Sequence, residues 1–187
     1  MKKIVLAAIA VLGFSFANAQ TTGFSKGDTF IAGSVGIASQ KTGDSKSNGF
    51  ELVPQAGYFV SENIALGGKL GFTSLKDENE IKTSAFKVGA FGRYYFTPAS
   101  QFSVFGQLGV DYTGYKVKPG DFKSNELGLG LGLGMSYFLS NHFAIEANWA
   151  GLEYSVNNNG GHGAEKTNSF YLGSDLGAVN FGVLYKF

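Results

Sequence analysis

Hydrophobic and polar residues alternate along most of this chain with a period of two, which is the spacing of a β-strand. The clearest case is 126–138, where Leu127, Leu129, Leu131 and Leu133 alternate with glycines. Alternation bounded by turn residues predicts an all-β chain of eight antiparallel strands. These strands cover 29–39, 49–59, 64–74, 84–96, 101–113, 126–138, 143–153 and 169–187. Because Pro54 has no N–H to give to the ladder, we expect a β-bulge in the second strand.

The connections between the predicted strands alternate in length. Those at 60–63, 97–100 and 139–142 are short turns, whereas 40–48, 75–83, 114–125 and 154–168 are longer and mostly polar. A soluble β-sandwich gives no reason for every second connection to be short. An up-and-down barrel does, because all its short turns lie at one end and its longer loops at the other. The pattern therefore predicts an eight-stranded up-and-down barrel.

Aromatic residues on the apolar face of the predicted strands fall into two rows, with mostly aliphatic or small residues between them. The row nearest the short turns contains Tyr58, Tyr94, Phe96, Phe102, Tyr137 and Phe143, together with Tyr185 and Phe187. The row nearest the long loops contains Phe50, Phe72, Phe86, Tyr112 and Tyr171. Aromatic girdles flanking an apolar band are typical of strands that cross a bilayer, because amphipathic rings favour its two interfaces. The pattern predicts that hydrocarbon surrounds this face.

The first nineteen residues have the composition of an export signal. A basic start at 1–3 precedes an apolar run at 4–16, and Ala17-Asn18-Ala19 supplies the small residues of a cleavage site. The run is shorter than the roughly 20 residues that a membrane-spanning helix needs. We expect cleavage before Gln20, which leaves 20–187 as the barrel domain with 13 basic and 14 acidic residues. This balance excludes a nucleic-acid partner, and the lack of cysteine excludes disulfides and thiolate metal sites.

The strand positions that alternate with the apolar face have the opposite parity and point into the barrel. The polar residues at these inward positions are Glu51, Lys69, Lys87, Arg93, Gln107, Asp111 and Glu146. An eight-stranded barrel is just wide enough for side chains to fill it, so charges inside it must pair. We expect Arg93 to pair with Glu146 near the short turns. Farther out, we expect the two lysines to pair with Glu51 and Asp111. Two interpretations stay open: the network fills the lumen and fixes strand register, or it plugs a narrow or gated pore.

Residues that could support catalysis are few. His142 lies in a short turn, and His162 lies in a glycine- and asparagine-rich loop flanked by Ser155 and Ser169. A flexible loop does not hold a catalytic geometry without support, so we predict no catalytic site, cofactor or metal. The acidic segment 77–80 could bind a divalent cation or contact lipopolysaccharide through bridging ions. A solvated acidic loop explains it more simply.

The last eight residues resemble the C-terminal recognition signal of bacterial outer-membrane β-barrels. Asn180, Gly182, Tyr185 and Phe187 fill the polar, glycine, hydrophobic and terminal aromatic places of that signal. The segments 54–63 and 92–96 look like strand–turn blocks that are common in the porin-like outer-membrane β-barrel family. The chain therefore resembles this family, above all its small OmpA/OmpX-type members. The resemblance implies a Gram-negative cell envelope, delivery to the barrel-assembly machinery, and residence among the lipids of the outer membrane.

The function expected from this resemblance is a structural or surface-interaction role. We expect a monomeric, non-enzymatic barrel whose long loops meet surface ligands and whose lumen is filled by polar side chains. A narrow passive pore for small solutes, or a lateral conduit for an apolar molecule, is the alternative. A lipid-modifying enzyme of the outer membrane is a third and weaker interpretation.

Overall fold

A computed structural model describes residues 23–42, 45–77, 81–120, 122–161, 163–172 and 180–187. The strands are β1 (Thr29–Thr42), β2 (Ser45–Phe59), β3 (Ile64–Lys76), β4 (Lys82–Tyr95), β5 (Phe102–Lys118), β6 (Phe122–Phe138), β7 (Phe143–Asn157), β8 (Thr167–Leu172) and β9 (Asn180–Lys186). No helix among the described residues is long and apolar enough to cross a membrane.

The strands form a closed antiparallel barrel with eight strand positions. Each strand from β1 to β7 pairs with the next, and β9 lies between β7 and β1. β8 pairs with the outer part of β7, so β8 and β9 together occupy the eighth position. The segment 173–179 that joins them lies outside the described residues. The predicted all-β, up-and-down barrel of eight antiparallel strands is therefore confirmed.

The two ends of the barrel differ. The short-turn end holds the connections 60–63, 96–101 and 139–142, and both Gly23 and Phe187 lie there. At the opposite, hairpin end, the strands continue beyond their predicted bounds, so that most of the predicted loops 40–48 and 114–125 are paired strand. Alternation ends where the apolar face ends, but hydrogen-bonded pairing needs no apolar face and continues past it.

Side chains alternate between the two faces of the barrel wall as the sequence predicts. The β6 leucines point outward and are about half exposed, with Leu127 at 55%. Inward residues near the short-turn end are buried, and they include Phe30, Phe59 and Phe105 at 0%. The barrel therefore has an apolar outer surface and an interior that side chains fill near the short turns.

A β-bulge in β7 changes which residues face inward. The register with β6 shifts between Leu131 and Gly132, and the extra residue on β7 is Gly151. Beyond the bulge Glu153 lies on the inward face, opposite Tyr171 of β8. The placement of Tyr171 in an outer aromatic row is therefore wrong, and Phe170 holds the outward position instead. The extra residue accounts for Glu153, because one inserted residue flips the facing of those that follow it on its own strand. Tyr171 lies on β8, and the predicted strand 169–187 consists of two elements, β8 and β9, so alternation counted back from Phe187 does not extend to residue 171.

The proline in β2 does not create the expected bulge. Pairing between β2 and β3 runs to Leu52 opposite Phe72 and resumes at Gln55 opposite Lys69, with the same register on both sides. Within these described strands the ladder is interrupted at 53–54, without an extra residue. The missing N–H of Pro54 weakens the local pairing, but the β1–β2 register is continuous through Pro54 and holds the strand in place.

Candidate functional site

The lumen is organised around one buried arginine. The Nε of Arg93 donates to Gln107 Oε1 at 2.7 Å, and its Nη2 donates to Gln55 Oε1 at 3.2 Å. Its Nη1 lies 3.0 and 3.2 Å from the two carboxylate oxygens of Glu146 and 3.1 Å from the hydroxyl of Tyr95. The Arg93 and Glu146 side chains are each only 1% exposed. The predicted Arg93–Glu146 ion pair is present, and the guanidinium cross-links β2, β4, β5 and β7.

Three aromatic rings surround the same guanidinium. The Arg93 Cζ lies 4.4 Å from the ring centre of Phe105, 5.0 Å from that of Phe91 and 5.6 Å from that of Phe30. Cation–π attraction of this kind is strongest when the cation is desolvated, as it is here. Hydrogen bonds and ring faces together leave little space for water around the charge.

Each of these three rings lies over a glycine on the neighbouring strand. The cross-strand pairs are Phe30 with Gly57, Phe91 with Gly67, and Phe105 with Gly134. A Cβ added at any of these glycines would overlap the ring opposite. The inward glycines therefore make the space in which the rings lie flat against the wall and reach Arg93.

A second charged layer lies farther from the short turns. Lys69 Nζ is 2.9 Å from Asp111 Oδ2, so this predicted ion pair is also present. The other oxygen, Asp111 Oδ1, is buried against Gly89 and has no hydrogen-bond partner among the described residues. Lys87 and Glu51 line one cavity of about 240 Å³ but form no ion pair in the described part of the lumen. The prediction that they pair is wrong.

The short-turn end is closed by an aromatic layer that the sequence reading missed. Phe24 inserts into the barrel mouth at 1% exposure, and its ring centre lies 4.5 Å from Phe59, 4.9 Å from Phe138 and 5.0 Å from Tyr95. The backbone N–H of Phe24 donates to the carbonyl of Pro98 at 2.7 Å. The sequence does contain a signal for this layer, because Phe59 and Phe138 both lie at inward strand positions next to short turns.

The chain ends meet at the seam between β1 and β9. Lys186 Nζ donates to the Gly23 carbonyl and lies 3.5 Å from Asp28 Oδ2. The Phe187 N–H donates to the Thr29 carbonyl at 3.0 Å. The segment that carries Phe24 is thus fastened to the strand that closes the barrel.

Two further spaces adjoin the charged layers. A lumen cavity of about 250 Å³ is lined by Lys69, Asp111 and Glu153 and by the β6 glycines from Gly128 to Gly132. Because Glu153 is exposed, this cavity meets solvent on the hairpin side of Arg93. On the outer wall, a largely apolar concavity of about 770 Å³ lies over Pro54.

Comparison with known proteins identifies the family. A family model described as "Outer membrane protein beta-barrel domain" matches residues 5–187. The chain belongs to this family. Among solved structures, it is similar to the outer membrane protein OprG from Pseudomonas aeruginosa, at 17% identity and a TM-score of 0.53, over 90% of this chain and 99% of that chain. At these identities the likeness supports the shared fold alone.

Two other solved structures are similar to this outer-membrane barrel. The N-terminal barrel domain of Pseudomonas aeruginosa OprF has 15% identity and a TM-score of 0.48, over 88% of this chain and 100% of that chain. Neisserial surface protein A has 18% identity and a TM-score of 0.47, over 86% of this chain and 96% of that chain. No curated protein matches the chain.

The aromatic rows of this outer-membrane barrel lie on its outward face, apart from Tyr171. The residues that are close to half exposed there are Tyr58, Tyr94, Phe96, Phe102 and Phe143 at the short-turn end, and Phe50, Phe72, Phe86 and Tyr112 at the hairpin end. Tyr137 has the same outward parity and is partly exposed. In an outer-membrane barrel, the shorter end is periplasmic and the longer hairpins are extracellular.

The residues of the terminal signal have distinct positions in the barrel. Asn180 lines the lumen cavity, whereas Tyr185 packs outward against Phe143 and Phe187 with ring centres 5.0 and 5.1 Å apart. Gly182 faces Ser34 at the seam, where a Cβ would come within 2.7 Å of the Gly33 carbonyl oxygen. A side chain at 182 would therefore separate the closing strands. Recognition of this segment by the assembly machinery stays a prediction.

The candidate catalytic residues are not assembled into a described site. His142 lies in a periplasmic turn, where its Nδ1 is 2.9 Å from the Lys186 carbonyl oxygen. Ser155 is buried opposite Ser169, and His162 lies outside the described residues. The described residues contain no group of three or more metal-ligating side chains. In the acidic segment, Asp77 Oδ1 accepts the Ile81 N–H at 2.9 Å, and 78–80 lie outside the described residues.

Proposed function

We propose that this protein is a closed, non-enzymatic outer-membrane barrel with a structural or surface-interaction role. The observation that carries the proposal is the coordination of Arg93 by Gln55, Tyr95, Gln107 and Glu146 at 1% exposure. A buried ion pair held by several hydrogen bonds is costly to open, because each separated charge would stay buried without a partner. The Phe24 layer adds a second seal on the periplasmic side.

The extracellular hairpins support the surface-interaction role. They extend beyond the outer aromatic row as paired strands, and the β5–β6 hairpin is fastened to the loop after β7. The Asn158 N–H donates to the Asn125 carbonyl at 2.9 Å, and the Asn125 N–H donates to Asn158 Oδ1 at 2.8 Å. Asn159 Nδ2 further donates to Thr167 Oγ1 at 2.6 Å. A braced rim of this kind presents fixed side chains, and less ordering entropy is lost when a ligand binds it.

The route of biogenesis follows from the same proposal. The protein is exported with cleavage before Gln20, meets the barrel-assembly machinery through its last strand, and resides as a monomer among outer-membrane lipids. Its surface ligands bind through the extracellular hairpins. These statements extend the family assignment and rest on the sequence features of the two chain ends.

Solute flux through proteoliposomes tests the proposal. We expect vesicles that contain the refolded wild-type barrel to swell in small sugars and amino acids no faster than empty vesicles, because the Arg93 and Phe24 layers block the lumen. A large open porin in the same lipid provides the positive control. Swelling that increases with the amount of barrel would contradict the closed lumen and favour the passive pore.

One observation favours a lateral conduit as the second candidate function. The concavity over Pro54 is lined by outward Leu70 and Val88 and by inward Gln55 and Lys69, at the point where the β2–β3 ladder is interrupted. An apolar molecule could pass between lumen and bilayer there. In the same vesicles, a conduit would take up an apolar fluorescent probe without sugar flux, and Pro54→Ala would slow this uptake by restoring a ladder donor. Uptake that equals that of empty vesicles would exclude this candidate.

A further inference from the structure

The lumen cavity on the hairpin side of Arg93 is lined by two charges that form no ion pair among the described residues. These are Lys87 and Glu153, and both line the same space of about 250 Å³. The second lysine of this cavity, Lys69, is already held by Asp111 at 2.9 Å. One cation and one anion are therefore open to a ligand. We call this cavity, lined by these four residues and by the β6 glycines, the vestibule.

The β6 wall of the vestibule consists of glycines that the packing of the described barrel does not require. A Cβ added at Gly128 would lie 4.0 Å from Glu153 Oε1, and one at Gly130 would lie 3.9 Å from the Leu152 carbonyl oxygen. Both are ordinary van der Waals distances, whereas a Cβ on the glycines beneath the rings around Arg93 would overlap those rings. Glycine weakens a strand interior and often marks a place where a ligand comes close. The missing side chains keep this wall open.

The two open charges belong to separate walls of the vestibule. Lys87 lies on β4 and Glu153 on β7, with β5 and β6 between them. A single molecule that contacts both must therefore carry an anionic and a cationic group at separate ends. Glu51 adjoins Lys87 in the neighbouring cavity, and Glu126 already accepts a hydrogen bond from the Tyr115 hydroxyl at 3.1 Å. Glu153 is therefore the open carboxylate of the vestibule.

Three side-chain amides complete the polar lining of the vestibule. They are Gln107 on β5, Asn148 on β7 and Asn180 on β9, and the last two lie directly opposite each other across the sheet. Each amide offers N–H donors and an acceptor oxygen, which match the carbonyl and the N–H of a peptide group. The oxygen of Gln107 accepts from Arg93 Nε at 2.7 Å, which fixes the floor of the vestibule. This lining suits a ligand that contains a peptide bond.

We infer that the vestibule binds a short zwitterionic peptide that enters from the extracellular side. The peptide carboxylate accepts from the Lys87 ammonium, the peptide ammonium donates to Glu153, and the peptide group contacts the side-chain amides. The cavity of about 250 Å³ corresponds to about eight water molecules at roughly 30 Å³ each, which a dipeptide of small residues displaces. The inference rests on the closed lumen of the proposed function, because the Arg93 layer forms the floor of the vestibule.

An NMR titration of the detergent-solubilised full barrel with alanyl-alanine tests this inference. We expect saturable shifts of the Gly128 and Gly130 amide resonances in the wild type. The Kd should rise at least about tenfold in Lys87→Gln and in Glu153→Gln, because each variant loses a hydrogen bond to a charged group. Gly130→Val should bind no peptide, because its side chain occupies the vestibule without displacing the barrel wall.

Matched controls separate these effects from general changes in charge or folding. Glu62→Gln and Lys166→Gln each remove one exposed charge away from the vestibule. Gly106→Val adds the same side chain on the outer wall, where a new Cβ meets nothing within 4 Å in the described barrel. We expect the wild-type Kd in all three controls. In urea, Gly130→Val should unfold at the same concentration as Gly106→Val, and a loss of folding in Gly130→Val alone would contradict the open β6 wall.

Several results would overturn the inference. The absence of saturable shifts in the wild type would exclude peptide binding, and an unchanged Kd in Lys87→Gln, Glu153→Gln or Gly130→Val would place the peptide elsewhere. Equal affinity for free alanine, or for alanyl-alanine blocked at both ends, would show that separated charges are not recognised. Passage of the peptide into vesicles would contradict the closed lumen itself, whereas absent binding without passage would overturn this inference alone.

Discussion

Replacing Glu146 with alanine is expected to lower the free energy of unfolding by about 3–5 kcal/mol. The substitution leaves the Arg93 guanidinium buried at 1% exposure without its carboxylate. It also removes the acceptor of the Ser136 hydroxyl, which lies 3.1 Å from Glu146 Oε1. Urea-dependent unfolding of the refolded barrel in lipid vesicles, followed by circular dichroism, measures the loss.

Glu51→Ala is the matched control for this prediction, because it removes a lumen glutamate that has no ion pair in the described structure. We expect it to change the free energy of unfolding by less than about 0.5 kcal/mol. A double substitution, Arg93→Met with Glu146→Leu, should recover much of the stability, because apolar residues of similar volume leave no unpaired charge. A loss below about 1 kcal/mol in Glu146→Ala would contradict a buried, essential pair.

Replacing Phe24 with alanine is expected to cost about 3–5 kcal/mol of unfolding free energy, as truncation of a buried phenylalanine usually does. Its ring contacts Phe59, Tyr95 and Phe138 at centre distances of 4.5–5.0 Å, and alanine would leave a cavity among them. The aromatic pair interactions are lost together with the burial. The same urea unfolding series measures the effect.

Phe170→Ala is the control for the Phe24 substitution. Phe170 is 64% exposed on the outward face of β8, so we expect a much smaller loss. Equal losses at the two positions would indicate that Phe24 is not a plug but one of many lipid-contacting rings. An unchanged stability in Phe24→Ala would show that the segment before β1 does not occupy the barrel mouth in the folded protein.

Alternation along the strands made much of the barrel predictable. Membrane strands have one apolar and one polar face, so parity alone placed Arg93, Gln107 and Glu146 inside. Threading the strands up and down then placed Arg93 and Glu146 in the same half of the barrel, the one nearest the short turns. The narrow width of an eight-stranded barrel then required Arg93 to have a partner, and Glu146 was the acid at its height. This requirement left few possible partners for Arg93, and the structure contains the expected Arg93–Glu146 pair.

Features that depend on a single local irregularity were not predictable. The extra residue Gly151 reverses which of the following β7 residues face inward. The regular alternation of leucine and glycine in the partner strand β6 gives no sign of this extra residue. For that reason Glu153 was missed as a lumen residue. Tyr171 was misplaced because the predicted strand 169–187 consists of two elements, β8 and β9, and alternation does not carry over from one to the other. The height of Lys87 and Glu51 was read from strand position alone, which fixes a level in the barrel but not the distance across it.

The Phe24 layer escaped prediction for a different reason. Phe24 precedes the first strand, so parity assigns it no face, and its position depends on tertiary contacts with Phe59, Tyr95 and Phe138. The backbone contact with Pro98 and the fastening by Lys186 join parts of the chain that are distant in sequence. Local patterns carry little information about such contacts.

Thiol labelling of two single-cysteine variants tests the sealed lumen most directly, because the native chain has no cysteine. Ser103 lies at 1% exposure on the periplasmic side of Arg93, whereas Gly128 lines the cavity on the extracellular side. With a membrane-impermeant maleimide, the closed barrel predicts rapid labelling of Gly128→Cys. It predicts labelling of Ser103→Cys only after unfolding in urea. Equally rapid labelling of both cysteines in the folded barrel would contradict the sealed lumen.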